Sequence, residues 1–342
     1  MESVRHVIMN NNLKKHLYKC LMFLITIFIL VGCTTDTNNK INDDEKLNII
    51  TTIFPAYDFV REITQDSTNL SLLIPLGAEM HHYEPTPQDL INIQNCDVFI
   101  YVGGISDYWI DDLLKSLDTS SITIIKLIDL VQVLEEEIIE GMEVEHDDSH
   151  DHHHEDHNHD DHHHHDIEYD EHIWTSIKNT MIINQEICRI LATLDSYNAK
   201  FYYSNLADYI EELEILDSSF QEVINNAARK TLLFGDRFPF RYFIEDYNLN
   251  YYAAFPGCST LTEASSATIA FLIDKVNEEN IPVVFHLEFS NQNIVDIIVE
   301  STNAKKLQFH SAHTISKAEF DQGVTYLSIM YQNLEAIKEA LS

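Results

Sequence analysis

From Leu47 onward, short apolar runs alternate with amphipathic stretches in which apolar positions recur every three or four residues. The runs "LNIITTIF", "LSLLIPL", "CDVFIYVGG" and "SITIIKL" have strand length and composition, whereas "AYDFVREI", "PQDLINIQN" and "WIDDLLKSL" have helical spacing. Such alternation predicts a parallel α/β sheet. The pattern lapses between 143 and 168 and resumes at Trp174. From Asn198 to Ala227, apolar residues at Leu206, Ile210, Leu213, Leu216, Phe220, Val223 and Ala227 keep spacings of three and four with no Gly or Pro. One amphipathic helix is predicted there, extending roughly 45 Å at 1.5 Å per residue. A second alternating region follows, with "KTLLFG", "NYYAAF", "IPVVFHLEF" and "KLQFH" separated by "SSATIAFLIDKVNEEN" and "QNIVDIIVEST", and closed by a helix from about Phe320 to Leu341. The expected architecture is two α/β lobes, 47–197 and 229–342, joined by a long rigid linking helix over 198–228.

The first residues have a different character. Lys14, Lys15 and Lys19 precede the apolar run "LMFLITIFILV", which is too short to cross a bilayer and reads as an export signal. It ends in "LVGC", Leu30 to Cys33, which resembles the lipobox of bacterial lipoproteins, where the signal is cut before the cysteine and the thiol is acylated. Residues 1–32 are therefore expected to be a signal peptide. The polar stretch "TTDTNNKINDDEK" makes 33–46 a lipid-anchored tether. Diacylglycerol on Cys33 supplies the two chains that stable anchoring needs. Met9 makes a more conventional signal start than Met1, so either methionine can be the initiator.

Composition narrows the function. The formal charge of −35 leaves no basic stripe to neutralise phosphates, which excludes nucleic acid as a partner and favours cations. Cys96, Cys188 and Cys258 form no CxxC pair and read as small buried apolar residues rather than a disulfide framework or thiolate site. Between Glu145 and Trp174 stand twelve of the nineteen histidines, interleaved with acids. This tract has too little apolar surface to offset its ordering entropy, so 143–168 is expected to be a disordered loop. It offers many equivalent ligand geometries and nothing to fix one of them, which suits a lure for metal rather than the working site.

Three other loops place histidine at an element boundary. "GAEMHHYEPTPQDL" follows a strand and opens a helix at Pro87, putting His81 and His82 on a loop; "YDEHIW" carries His172; and "QFHSAHTIS" carries His310 and His313 after an apolar strand. Loops at strand ends are where ligands converge in α/β folds. Glu288, in "FHLEFSN", is a further candidate. No HExxH, GxSxG or comparable paired motif is present, so no enzyme is expected.

The segments "TIFPAYDFVREI", "GAEMHHYEPTPQDL", "CDVFIYVGG", "YDEHIW", "FGDRFPFRYFIEDY" and "AAFPGCSTLTEASSATIAFLIDKV" together resemble the zinc and manganese solute-binding lipoproteins of bacterial ABC importers, over nearly everything from Leu47 to the C-terminus. The resemblance implies a single metal ion bound in the cleft between the lobes. It matches His81 to the histidine of "PHxxEPTP", with Met80 in place of proline, and His172 to that of "DPHxW". The family's third ligand, a His or Glu after the strand opening the second lobe, falls at Gly235, with Asp236 as the nearest donor. The fourth falls near His310, and His313 in the same "HSAH" loop is expected to supply a missing nitrogen. A set of His81, His172, His310 and His313 favours Zn²⁺, since Mn²⁺ prefers oxygen ligands. The implied function is capture of Zn²⁺ at the extracytoplasmic face of the cell membrane, by a lipid-anchored monomer, for delivery to an ABC permease. The alternatives are a Mn²⁺-binding subunit of the same fold and a metal-buffering or adhesive surface lipoprotein.

Overall fold

The structure is a computed structural model that describes residues 46–78, 83–143, 169–259, 261 and 263–342. The signal segment, Cys33, the tether up to Glu45, His81 with His82, and the histidine-rich tract over 144–168 lie outside the described residues.

The first lobe runs β1 (Asn48–Thr51), α1 (Phe54–Thr64), β2 (Asn69–Leu72), α2 (Pro87–Gln94), β3 (Val98–Tyr101), α3 (Tyr108–Ser116) and β4 (Thr123–Lys126). Every pairing is parallel, in the order β2-β1-β3-β4. The interior strand β3, "VFIY", is buried at all its residues, because helices cover both faces of a parallel sheet and leave no polar side for alternation to mark. The "PTPQD" sequence opens α2 through a capping box: Thr86 Oγ1 accepts from the Asp89 N–H, and the Asp89 carboxylate accepts from the Thr86 N–H.

After β4 the chain crosses to the second lobe. The Glu143 N–H donates to the Ala254 carbonyl, and the Glu143 carboxylate accepts from the Ser265 N–H and the Thr268 hydroxyl. The chain re-enters at Tyr169, which bridges antiparallel to Glu135. Two helices follow, α4 (Ile177–Leu194) and α5 (Ala199–Asn225). The latter is the expected linking helix, 27 residues long. Its buried stripe is Tyr202, Leu206, Tyr209, Leu213, Leu216, Phe220 and Ile224. That stripe packs on α1 and α4 of the first lobe and on two helices of the second.

The second lobe repeats the first lobe's topology with β5 (Thr231–Phe238), α6 (Arg241–Tyr247), β6 (Asn250–Pro256), α7 (Ser266–Glu279), β7 (Val283–His286), α8 (Asn293–Ser301) and β8 (Lys305–Gln308), in the parallel order β6-β5-β7-β8. The expected closing helix is instead two, α9 (Lys317–Asp321) and α10 (Tyr326–Leu341). Gly323, at φ +76°, turns the chain between them, and Thr325 starts the second with its own capping box.

One apolar core runs through both lobes. Phe59 of α1 meets Tyr326 of α10 edge to face at 5.2 Å, and the Tyr326 hydroxyl donates to the Trp174 carbonyl at 2.7 Å. Asp58 accepts from the Tyr326 N–H and pairs with Arg61, whose guanidinium also donates to the Val324 carbonyl. These contacts tie α1 and the Trp174 segment to the closing helix α10. Among the described residues no helix is long and apolar enough to cross a membrane.

Candidate metal centre

The carboxyl ends of the two sheets face a shared cavity of about 240 Å³. Its lining includes His172 from the first lobe's return segment, His313 from the loop after β8, Arg237 at the end of β5, and Glu288 just after β7. This is where open α/β sheets place ligands. A larger concavity of about 660 Å³ on the second lobe's flank holds neither imidazole nor thiol, so chemistry rather than size selects the cleft.

His172 is 2% exposed and held by its own chain. Asp170 Oδ1 accepts from the His172 backbone N–H at 2.8 Å and lies 3.1 Å from Nδ1. With Nδ1 protonated toward that carboxylate, Nε2 is the free ligating nitrogen. Burial alone lowers this imidazole's pKa, but Asp170, by charge and hydrogen bond, with Glu171 and Glu136 beyond it, makes the net shift upward. Gly257 lets the second lobe approach: a Cβ there would stand 3.4 Å from His172 Cε1 and 2.9 Å from the Phe238 carbonyl oxygen. The rings of His172 and His313 lie 6.3 Å apart between centroids. Two imidazoles sharing one tetrahedral zinc stand roughly 5–6 Å apart, so the pair lies just beyond that range and must draw slightly together to share an ion.

His310 is placed differently. It does not line the cavity; its Nδ1 accepts from the Ala312 N–H at 2.9 Å, and its backbone is clamped to Asn333. Since Nδ1 already accepts, the Glu288 oxygen 3.4 Å away is not its hydrogen-bond partner. The bond to Ala312 holds that residue at φ +61°, a left-handed turn that presents His313. Glu288 secures the same loop by accepting from both the Ser311 N–H and hydroxyl, and the Trp174 indole donates to the Ser311 carbonyl.

The vacancy expected at Gly235 takes another form. A Cβ at Gly235 would meet Val295 Cγ2 of α8 at 2.6 Å, so this position faces a helix and not the cleft. The Asp236 carboxylate accepts from the Leu287 and Arg237 N–H groups and does not line the cavity. The residue of β5 that does is Arg237. Among the described residues, no three of His, Cys, Asp and Glu converge at metal-binding distance; His172 and His313 are brought together, and His81 lies outside the described residues.

The family profile described as zinc-uptake complex component A, periplasmic, matches residues 49–340. The chain belongs to this family. Its relatives include the high-affinity zinc uptake system protein ZnuA of Bacillus subtilis, 30% identical over 94% of this chain and 97% of that protein. Another is the zinc-binding lipoprotein AdcA of Streptococcus pneumoniae, 29% identical over 93% of this chain and 60% of the longer relative. Among solved structures, the Zn(II)-bound ZnuA-like domain of that AdcA superposes with a TM-score of 0.69, at 26% identity over 86% of this chain and 99% of the domain. For this zinc-uptake family chain, sequence reasoning missed Asp170 and Arg237. Asp170 was visible as a carboxylate two residues before His172. Arg237 required the register of β5, which the sequence pattern does not supply.

Proposed function

We propose that the protein captures one Zn²⁺ ion in the inter-lobe cleft, outside the cytoplasmic membrane, and hands it to an ABC permease without catalysing a reaction. The observation that carries this reading is the pairing of His172, oriented by Asp170, with His313 across the cavity. His81 is the third nitrogen donor in this proposal, and His310 acts by shaping the turn that presents His313. Three imidazoles suit zinc over manganese. The relatives' names, and their zinc-bound structure, support the choice. Cys33 carries the lipid anchor, and the histidine-rich tract gathers ions weakly, because its sequence offers many equivalent ligand sets and none that is singled out.

Calorimetric titration of the full chain and of a variant lacking 146–165 tests this. One tight equivalent survives the deletion and the weak equivalents vanish. Loss of the tight equivalent with the tract would assign the protein to metal buffering instead.

A further inference from the structure

The loop after β7 carries an apolar side chain that packing does not explain. Phe289 has φ +58°, a left-handed backbone that a bulky residue seldom takes, and it is 58% exposed. An exposed phenylalanine alone is ordinary; one held in an unfavourable backbone as well points to a function served by its position. The loop around it is braced. Glu288 accepts from Ser311, Ser290 Oγ accepts from the Gln292 N–H at 3.2 Å, and Asn291 Oδ1 accepts from the Asn293 N–H at 3.0 Å. Phe289 lines the cavity that holds His172 and His313. A ring that borders the cavity and also stands largely in solvent lies at its opening. Against it is Gly77 of the first lobe, in the loop after β2, where a Cβ would lie 3.9 Å from Phe289 Cε1 and Cζ. The Gly77 N–H also donates to Thr314 Oγ1 at 2.9 Å, next to His313 in sequence, so loops from opposite lobes meet beside the ring.

We infer that Phe289 gates the metal centre: its ring, resting against Gly77, stands in the path between the two imidazoles and solvent, and it sets how fast zinc enters and leaves without setting how tightly zinc binds. A phenyl ring has no donor atom of the nitrogen, sulfur or oxygen kind that zinc takes, so Phe289 contributes no bond to the bound state. An obstacle that favours neither the bound nor the free state raises the barrier equally in both directions. The ring's neighbour belongs to the other lobe, so parting the loops at Gly77 clears the path and closing them slows escape. This inference rests on the cleft being the tight zinc site.

The test uses the full chain loaded with one equivalent of Zn²⁺ and mixed by stopped flow with excess chromogenic chelator, at concentrations where the release rate no longer depends on the chelator; competition titration gives Kd. In Phe289→Ala, release quickens by at least about tenfold while Kd stays within about twofold, so entry quickens by nearly the same factor. Phe289→Gly releases zinc as fast and unfolds at a higher temperature than Phe289→Ala, because glycine takes the left-handed backbone without steric cost. An unchanged release rate in both variants overturns the gate. So does faster release matched by an equal loss of affinity, which would make the ring a support for the ligands. His172→Ala tests the underlying reading separately: if that variant keeps the tight equivalent, the cleft is not the zinc site, whatever the Phe289 variants do.

Discussion

His310 and His313 stand three residues apart in one loop and have opposite surroundings. His313 lines the cavity, whereas His310 is 6% exposed with Nδ1 committed to the Ala312 N–H. His313→Ala should therefore weaken tight zinc binding by more than the roughly 10- to 100-fold that loss of an outer partner costs, while leaving the unfolding temperature of the zinc-free protein unchanged. His310→Ala strands a buried N–H in a left-handed turn and should cost about 1–3 kcal/mol of stability. Calorimetry paired with thermal unfolding separates the two; equal stability losses in both variants would defeat the distinction. Gly235 gives a third contrast. The side chain of Gly235→Ala would be driven into Val295 of α8, including its backbone at 3.2 Å. A loss of about 1–3 kcal/mol is expected from that overpacking, with zinc stoichiometry intact in the same titration.

Element by element, legibility followed periodicity. The interior strands and the linking helix were evident because burial on both faces, or on one stripe, writes itself into apolar spacing. The break at Gly323 was missed because Phe320, Tyr326 and Leu327 keep an apolar rhythm across it. The site was half legible. His172 and His313 sit at element ends, where a histidine stands out. The exchange of roles among Gly235, Asp236 and Arg237 depends on which way β5 turns each side chain, and a one-residue change of register reverses all of them. The crossing segment before the histidine-rich tract was not legible at all, since Glu143 is one acid among many. Its carboxylate lies at the N-terminus of α7, accepting from Ser265 and Thr268, where negative charge also complements the helix dipole. Glu143→Ala should destabilise the protein by about 1 kcal/mol, the usual worth of a cap. Hydrogen exchange should quicken at the start of α7, and unchanged protection there would show that the contact holds nothing.

Across the whole molecule, two pH dependences run in opposite directions. Asp58 is fully buried where α1 clamps the start of α10. Burial pushes its pKa up to about 7 against the pull of Arg61. An acid whose folded pKa lies above its unfolded value of about 3.9 gives the folded state extra protons between those two values. Its stabilising share is complete below about pH 4 and is lost as pH rises through about 7. Zinc-free protein should accordingly unfold at a higher temperature at pH 5.5 than at pH 8, by the equivalent of about 1–2 kcal/mol. Relief of repulsion within a chain of charge −35 acts in the same direction. Asp58→Asn isolates the buried group, because a neutral side chain that does not titrate flattens the slope between the two pH values. Zinc opposes this trend, because protons compete for the imidazoles, and the upward shift at His172 moves that competition to higher pH. The gain in unfolding temperature on adding zinc should shrink as pH falls from 8 to 5.5 while the zinc-free baseline climbs, and scanning calorimetry with and without a chelator records both. A zinc-free baseline that falls over that range in the wild type would mean that Asp58 is ionised in the folded protein and that Arg61 outweighs its burial.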